Sequence, residues 1–187
     1  NIVESKLNTY EEEYYLHMLV QEVTDEYRNE VEDRDLKLII DIDETLPIKF
    51  KGSRTIIKKC LYHLIENALA TIIDGHIKVS VSGHYSNVAN KIMDVKIVVS
   101  DTGIGIKNED IKDVLLIEKL KDTSTSDDNR VELAIASELI KTAGGTLKVS
   151  SEYGKGTIKR DRYLFDEKTI KSWFWGNLIW IKPRLKN

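Results

Sequence analysis

The chain has 187 residues, 41% of them apolar, with 28 Lys and Arg against 31 Asp and Glu for a net charge of −3. That length and apolar content suit one compact unit with a substantial core, and they exclude collagen-like and low-complexity classes. Near-balanced charge excludes a general nucleic-acid binder, and the single cysteine, Cys60, builds neither a disulfide framework nor a cysteine zinc site within one chain, as expected of a reducing compartment.

Residues 1–35 are acidic, and Tyr15, Leu16, Leu19, Val20, Val23, Tyr27 and Val31 recur as one face of an amphipathic lead-in helix. His17 lies just off that stripe and reads as a surface residue. Leu36–Ile42 reads as a strand, broken by Pro47. A strong helix follows over Ser53–Ile73, with Ser53 as its cap. Its buried stripe is Ile56, Ile57, Cys60, Leu61, Leu64, Ile65, Ala68, Leu69 and Ile72. His63 and Asn67 stand four apart on one face of this helix.

Strands are expected over His76–Ser82 and Val95–Ser100, with a hairpin loop over Ser86–Lys91. The second strand runs into Asp101-Thr102-Gly103-Ile104-Gly105-Ile106. Residues 107–130 are polar and read as a mobile loop. A helix over Val131–Ala143 stops at Gly144-Gly145, and a short strand over Thr146–Ser151 leads to a turn at Tyr153-Gly154-Lys155-Gly156. From Ile158 to Asn187 eight Lys and Arg meet three Asp and Glu, beside all three Trp. This basic segment reads as a tail that docks its tryptophans on the domain or on a partner chain. No signal peptide is recognisable, and the most apolar stretch, Trp173–Ile181, is far shorter than the ~20 residues of a spanning helix. The sequence opens on Asn1 rather than Met, which fits a piece of a longer protein.

Asn67 offers a neutral oxygen of the kind that suits Mg²⁺ already held by phosphates. Asp101, at a strand end, offers a carboxylate that can accept from an exocyclic amine, and Gly103 and Gly105 let backbone approach a bound group. The order of Asn67, DTGIGI, a polar loop, a helix ending in Gly-Gly and then SSEYGKGT resembles the catalytic ATP-binding domain of bacterial sensor histidine kinases. These belong with gyrase, Hsp90 and MutL. KGSRTIIKKCLYHLIENALATI is similar to the N box and VVSDTGIGI to the G1 box. AIASELIKTAGGTLKVSSEYGKGT is similar to the stretch from the G2 box to the domain's end.

The resemblance implies an α+β fold, a two-layer α/β sandwich of the Bergerat type. A mixed, mostly antiparallel sheet would carry about three helices on one face. Residues 1–35 would form a lead-in helix from an upstream helical domain, 36–157 the ATP-binding domain, and 158–187 the basic, Trp-rich C-terminal segment. The cofactors implied are ATP and Mg²⁺. Asn67 would coordinate the metal, Asp101 would bond the adenine amino group, Gly103 and Gly105 would shape the pocket, and Thr157 would help bind adenine.

The implied activity is that of a protein-histidine kinase in two-component signalling. Its phosphoryl acceptor would be a histidine on upstream dimerisation helices, since none of His17, His63, His76 and His84 fits that role. A response regulator would be an indirect partner. The domain would be cytoplasmic, with any membrane anchor outside this sequence.

Departures from the pattern are His63, where Asn or Glu is usual, Ala70, where a basic residue is frequent, and Arg130-Val131-Glu132-Leu133, where Gly-Leu-Gly-Leu is usual. Glu132 is expected to bring a like charge towards the phosphates, with Arg130 a partial substitute ligand. No final apolar strand followed by Pro is recognisable beyond Thr157. These departures leave a second reading, a pseudokinase module impaired in nucleotide binding that docks to helical partners, and a third, a serine-phosphorylating kinase of the same superfamily.

Overall fold

The computed structural model describes residues 12–107, 128–151, 153, 177–181 and 184–186. Among them, β1 (Glu12–Tyr15), α1 (Leu16–Glu26), α2 (Arg28–Asp33), β2 (Lys37–Ile42), β3 (Lys49–Gly52), α3 (Arg54–Thr71), β4 (His76–Asn87) and β5 (Ile92–Asp101) follow in order. Then come α4 (Asp128–Thr142), β6 (Leu147–Ser150), β7 (Asn177–Ile181) and β8 (Arg184–Lys186). The eight strands form one mixed sheet. β2 and β4 pair in parallel, and every other pair is antiparallel. This is the α+β, helix-on-sheet architecture that the resemblance implies.

Period-2 patterning decides which face of the sheet is covered. Along β5, Met93, Val95, Ile97 and Val99 are buried while their neighbours are half-exposed, and Ile77, Val79 and Val81 of β4 stand opposite in register. The buried stripe of α3 packs on this face with α1, α2 and α4 in one continuous core. All of the expected α3 stripe is buried, Cys60 included. Burial pushes the Cys60 thiol up to about 12, and its Sγ contacts the Ala136 carbonyl at 3.2 Å, so it serves as a core residue joining α3 to α4.

The lead-in is not one helix. Residues 12–15 form a strand against β3, which buries Tyr14 beside Phe50 and turns Tyr15 outward. The helix then breaks at Tyr27, after Thr24 bonds back to the Val20 carbonyl, a contact that bends helices. Ser53 stands at the N-cap of α3 but makes no capping bond through its side chain. Its ψ of 76° falls short of the extended region from which N-caps reach back. The hairpin is tighter than the sequence predicts, because β4 and β5 run on to Asn87 and Ile92. α4 stops where the Gly144-Gly145 pair predicts, with Gly144 N–H bonding to the Lys141 carbonyl and Gly145 N–H to that of Ile140 in a Schellman pattern.

The expectation for the C-terminal segment needs correction. Residues 177–181, apolar and followed by Pro183, are a strand inside the sheet that pairs with β5 on one side and β6 on the other. β8 pairs with β5 and β3. Of the loop expected over 107–130, residues 128–130 already belong to α4, while 108–127, like 154–156 of the expected turn, lie outside the described residues.

Candidate functional site

Alternation along β5 carries a carboxylate to an unusual place. Continuing from Ile97 and Val99, Asp101 falls on the helix-facing side, 3% exposed, where β5 ends. Buried carboxylates need donors, and Asp101 Oδ1 accepts the Gly103 N–H at 2.7 Å. A carboxylate has lone pairs for further donors, so the group can also serve a ligand amine. A methyl group at Gly103 would stand 2.6 Å from Asp101 Oδ1, 2.8 Å from Thr71 Oγ1 and 2.9 Å from the Thr71 carbonyl oxygen. The close approach of this loop to α3 therefore requires glycine. Gly105, at φ 78°, turns the chain through the left-handed region.

The loop is held from three sides. Ile104 N–H donates to the Thr71 carbonyl at 3.2 Å. Thr102 Oγ1 donates to the Asp74 carbonyl at 2.9 Å and accepts from the His76 N–H at 3.1 Å. Ile106 N–H donates to Ser151 Oγ at 2.6 Å. His76 is half-buried in this corner, and burial, with Lys78 and Lys37 adding to it, holds its imidazole below the usual histidine range.

Asn67 lies one turn before Thr71 on α3 and is 2% exposed. Thr71 Oγ1 is 3.3 Å from the Asn67 carbonyl, so one helical turn joins Asn67 to the residue that walls Gly103. The partner across the seam is α4. Cys60 meets Ala136 and His63 meets Glu132, so three residues forward on α3 match four back on α4 and the helices run antiparallel. One more turn in that register sets Asn67 opposite the first turn of α4, whose N–H groups and dipole favour an anion.

Asn67, Asp101 and Gly103 are thus linked through Thr71 where the end of β5 meets α3, with Gly105 two residues further along the same loop. Thr157 lies outside the described residues, as does the Arg130 side chain. Glu132 does not stand free, because its carboxylate bonds to His63 Nδ1. Sequence reasoning missed Thr71, although its place four after Asn67 signals a shared face.

Among the described residues no three His, Cys, Asp or Glu cluster to hold a metal. Asn67 carries a neutral oxygen on a buried side chain, a donor type that fits a Mg²⁺ ion whose other ligands are phosphates and water. No helix among the described residues is long and apolar enough to cross a membrane. A groove of about 340 Å³ lined by Leu16, His17, Ile42, Leu46 and Phe50 shares no residue with this corner.

Known proteins resemble the chain in sequence and fold. The chain is 29% identical over 128 residues to hybrid signal transduction histidine kinase B of Dictyostelium discoideum, covering 67% of this chain and 6% of that protein. It is 26% identical to the autoinducer 2 sensor kinase/phosphatase LuxQ of Vibrio cholerae, over 82% of this chain and 18% of the relative. It is also 26% identical to the adaptive-response sensory kinase SasA of Rippkaea orientalis, over 82% and 38%. The chain therefore spans well under half the length of each of these relatives.

In fold it is similar to full-length ShkA in complex with AMPPNP, with a TM-score of 0.70 at 15% identity, covering 97% of this chain and 32% of that one. The nucleotide-free catalytic domain of histidine kinase ThkA gives 0.65 at 18% identity, covering 94% and 95%. Residues 52–160, more than half of the chain, match the model of the histidine kinase-, DNA gyrase B-, and HSP90-like ATPases, and the chain belongs to that family.

Proposed function

We propose that this chain is the catalytic and ATP-binding domain of a two-component sensor histidine kinase, which binds Mg-ATP for phosphoryl transfer to a histidine on an upstream helical domain. The observation that carries this reading is the buried Asp101 carboxylate at the end of β5, joined through Gly103 and Thr71 to a buried Asn67 beside the start of α4. Asp101 accepts the adenine amino group at the closed end. Gly103 and Gly105 shape the wall beside it, and Thr157 contributes at the adenine end.

Phosphates extend towards the α4 N-terminus, and Asn67 supplies a neutral oxygen for Mg²⁺. The ion, when bound, neutralises phosphate charge, and the residues of this chain position the nucleotide for transfer. The partners are the dimerisation and acceptor helices of the same protein and, through them, a response regulator. The domain works on the cytoplasmic side.

Calorimetry and thermal melts with Mg-ATP and Mg-ADP test the reading. Nucleotide at 100 times its Kd stabilises the fold by about 2.7 kcal/mol. Asp101→Asn is expected to abolish most of that shift for both nucleotides, and Asn67→Ala to abolish its Mg²⁺ dependence. A folded chain that shows no shift at millimolar nucleotide refutes the reading.

A further inference from the structure

Two departures of the sequence from the family pattern meet in space. His63 replaces the usual Asn or Glu four residues before Asn67, and Glu132 falls in the stretch where Gly-Leu-Gly-Leu is usual. In the folded chain, His63 Nδ1 and Glu132 Oε2 are in hydrogen-bonding contact across the α3–α4 seam, with side chains 26% and 30% exposed. A carboxylate accepts only, so Nδ1 carries the hydrogen.

We propose that His63 is a positioning residue for the nucleotide: it holds the Glu132 carboxylate against α3 and keeps that charge away from the phosphate end of the site. This rests on the nucleotide reading above. Glu132 lies just past the first turn of α4, whose N-terminal field attracts anions. A glutamate is long enough to swing towards that field, where it competes for the same N–H groups and repels phosphate. The imidazole N–H removes that freedom by fixing one rotamer. Glu132 alone would damage the phosphate end, and His63 offsets it. The Cys60–Ala136 contact sets the same helix register independently, so the pair is not needed to align α3 with α4.

The proposal separates charge from packing. In the full chain, Mg-ATP and adenosine affinities are measured by calorimetry for wild type, His63→Leu, Glu132→Gln and the double variant. His63→Leu is expected to weaken ATP roughly five- to tenfold, a loss of about 1 kcal/mol or slightly more, while adenosine changes less than twofold. Adding Glu132→Gln restores ATP to within about twofold of wild type. His63→Asn, whose amide N–H can stand near the Nδ1 position, retains most of the affinity.

Equal losses for ATP and adenosine, or no restoration by Glu132→Gln, overturn the proposal in favour of simple packing. If His63→Leu does not fold, His63→Ala, which also lacks the N–H, and Glu132→Gln carry the same comparison, with an unfolding double-mutant cycle on the nucleotide-free chain. Absent coupling there also overturns it. If wild type binds neither ligand, or Asp101→Asn leaves adenosine affinity unaltered, the nucleotide reading has failed and the proposal falls with it.

Discussion

Arg34, at the end of α2, donates from Nη2 to the carbonyl oxygen of Ile72 at 2.6 Å, which places a cation on the C-terminal end of α3. The contact joins the lead-in to the helix whose last turn walls the Asp101 loop. It is one of a set along that seam: Glu22 meets Arg54 and Lys58, Tyr62 OH meets Glu26, and Tyr27 OH donates to Glu66 at 2.8 Å. The guanidinium both satisfies an orphan carbonyl and complements the negative end of the helix.

Arg34→Ala is therefore expected to cost about 1 kcal/mol of stability, at the upper end for a helix-terminus charge because the side chain is about one-third exposed. Arg34→Lys should recover part of it. Denaturant unfolding measures the loss, and an unchanged midpoint would show that the α3 terminus needs no partner from the lead-in.

At Gly103 the outcome should be sharper. A methyl group there meets Asp101 Oδ1, Thr71 Oγ1 and the Thr71 carbonyl within 3 Å, and two of those three atoms cannot yield without moving α3 or the Asp101–Gly103 bond. Gly103→Ala should destabilise by about 2–3 kcal/mol, the upper part of the range for forced overpacking, and should weaken adenosine binding further. Wild-type melting in this variant would mean that the loop stands off α3.

Acid should loosen the same corner. Burial holds the His76 imidazole below its ordinary value, so the unfolded chain takes up that proton first. Stability from this group is fully present above the unfolded value near 6.5 and is lost as the pH falls through the lower folded value. Melting temperature should thus drop between pH 7.5 and 5.5, and His76→Gln should flatten that dependence. An identical slope in the variant would assign the acid effect elsewhere.

Deletion of residues 177–187 should remove the cooperative melt altogether. β5 would lose its ladder along residues 97–101 and β6 would lose its partner, leaving two bare edges over the core. A truncated chain that still melts cooperatively near the full-length temperature would show that β7 is dispensable.

The parts that the sequence reveals are those governed by local periodicity. The α3 stripe from Ile56 to Ile72 repeats at helical spacing for five turns, and β5 ends at the Asp101 that the motif itself marks. β3 was not foreseen, since Lys49-Phe50-Lys51-Gly52 carries one apolar residue and becomes a strand only because β1 and β8 pair with it. β1 hid inside an apparent helix because four residues are too few to tell period 2 from period 3.6. The strand at 177–181 was legible as apolar but not as central, because its neighbours are set by pairing rather than by spacing. The same holds for the site. Asn67 and Asp101 announce themselves through adjacent glycines and helix position. The meeting of His63 with Glu132 depends on how two helices cross, which no window of sequence contains.

The late arrival of β7 and β8 also sets an order of events at the ribosome. β4 and β5 are consecutive and can close their hairpin soon after synthesis, because local contacts form first. The other edge of β5 then waits until residues 177–186 emerge from the exit tunnel, exposing an apolar template throughout that interval. Any neighbouring nascent chain offers the same open edge. Translation speed between β5 and β7, and chaperone access to β5 while it waits, therefore bear on how long that edge stays open to other chains.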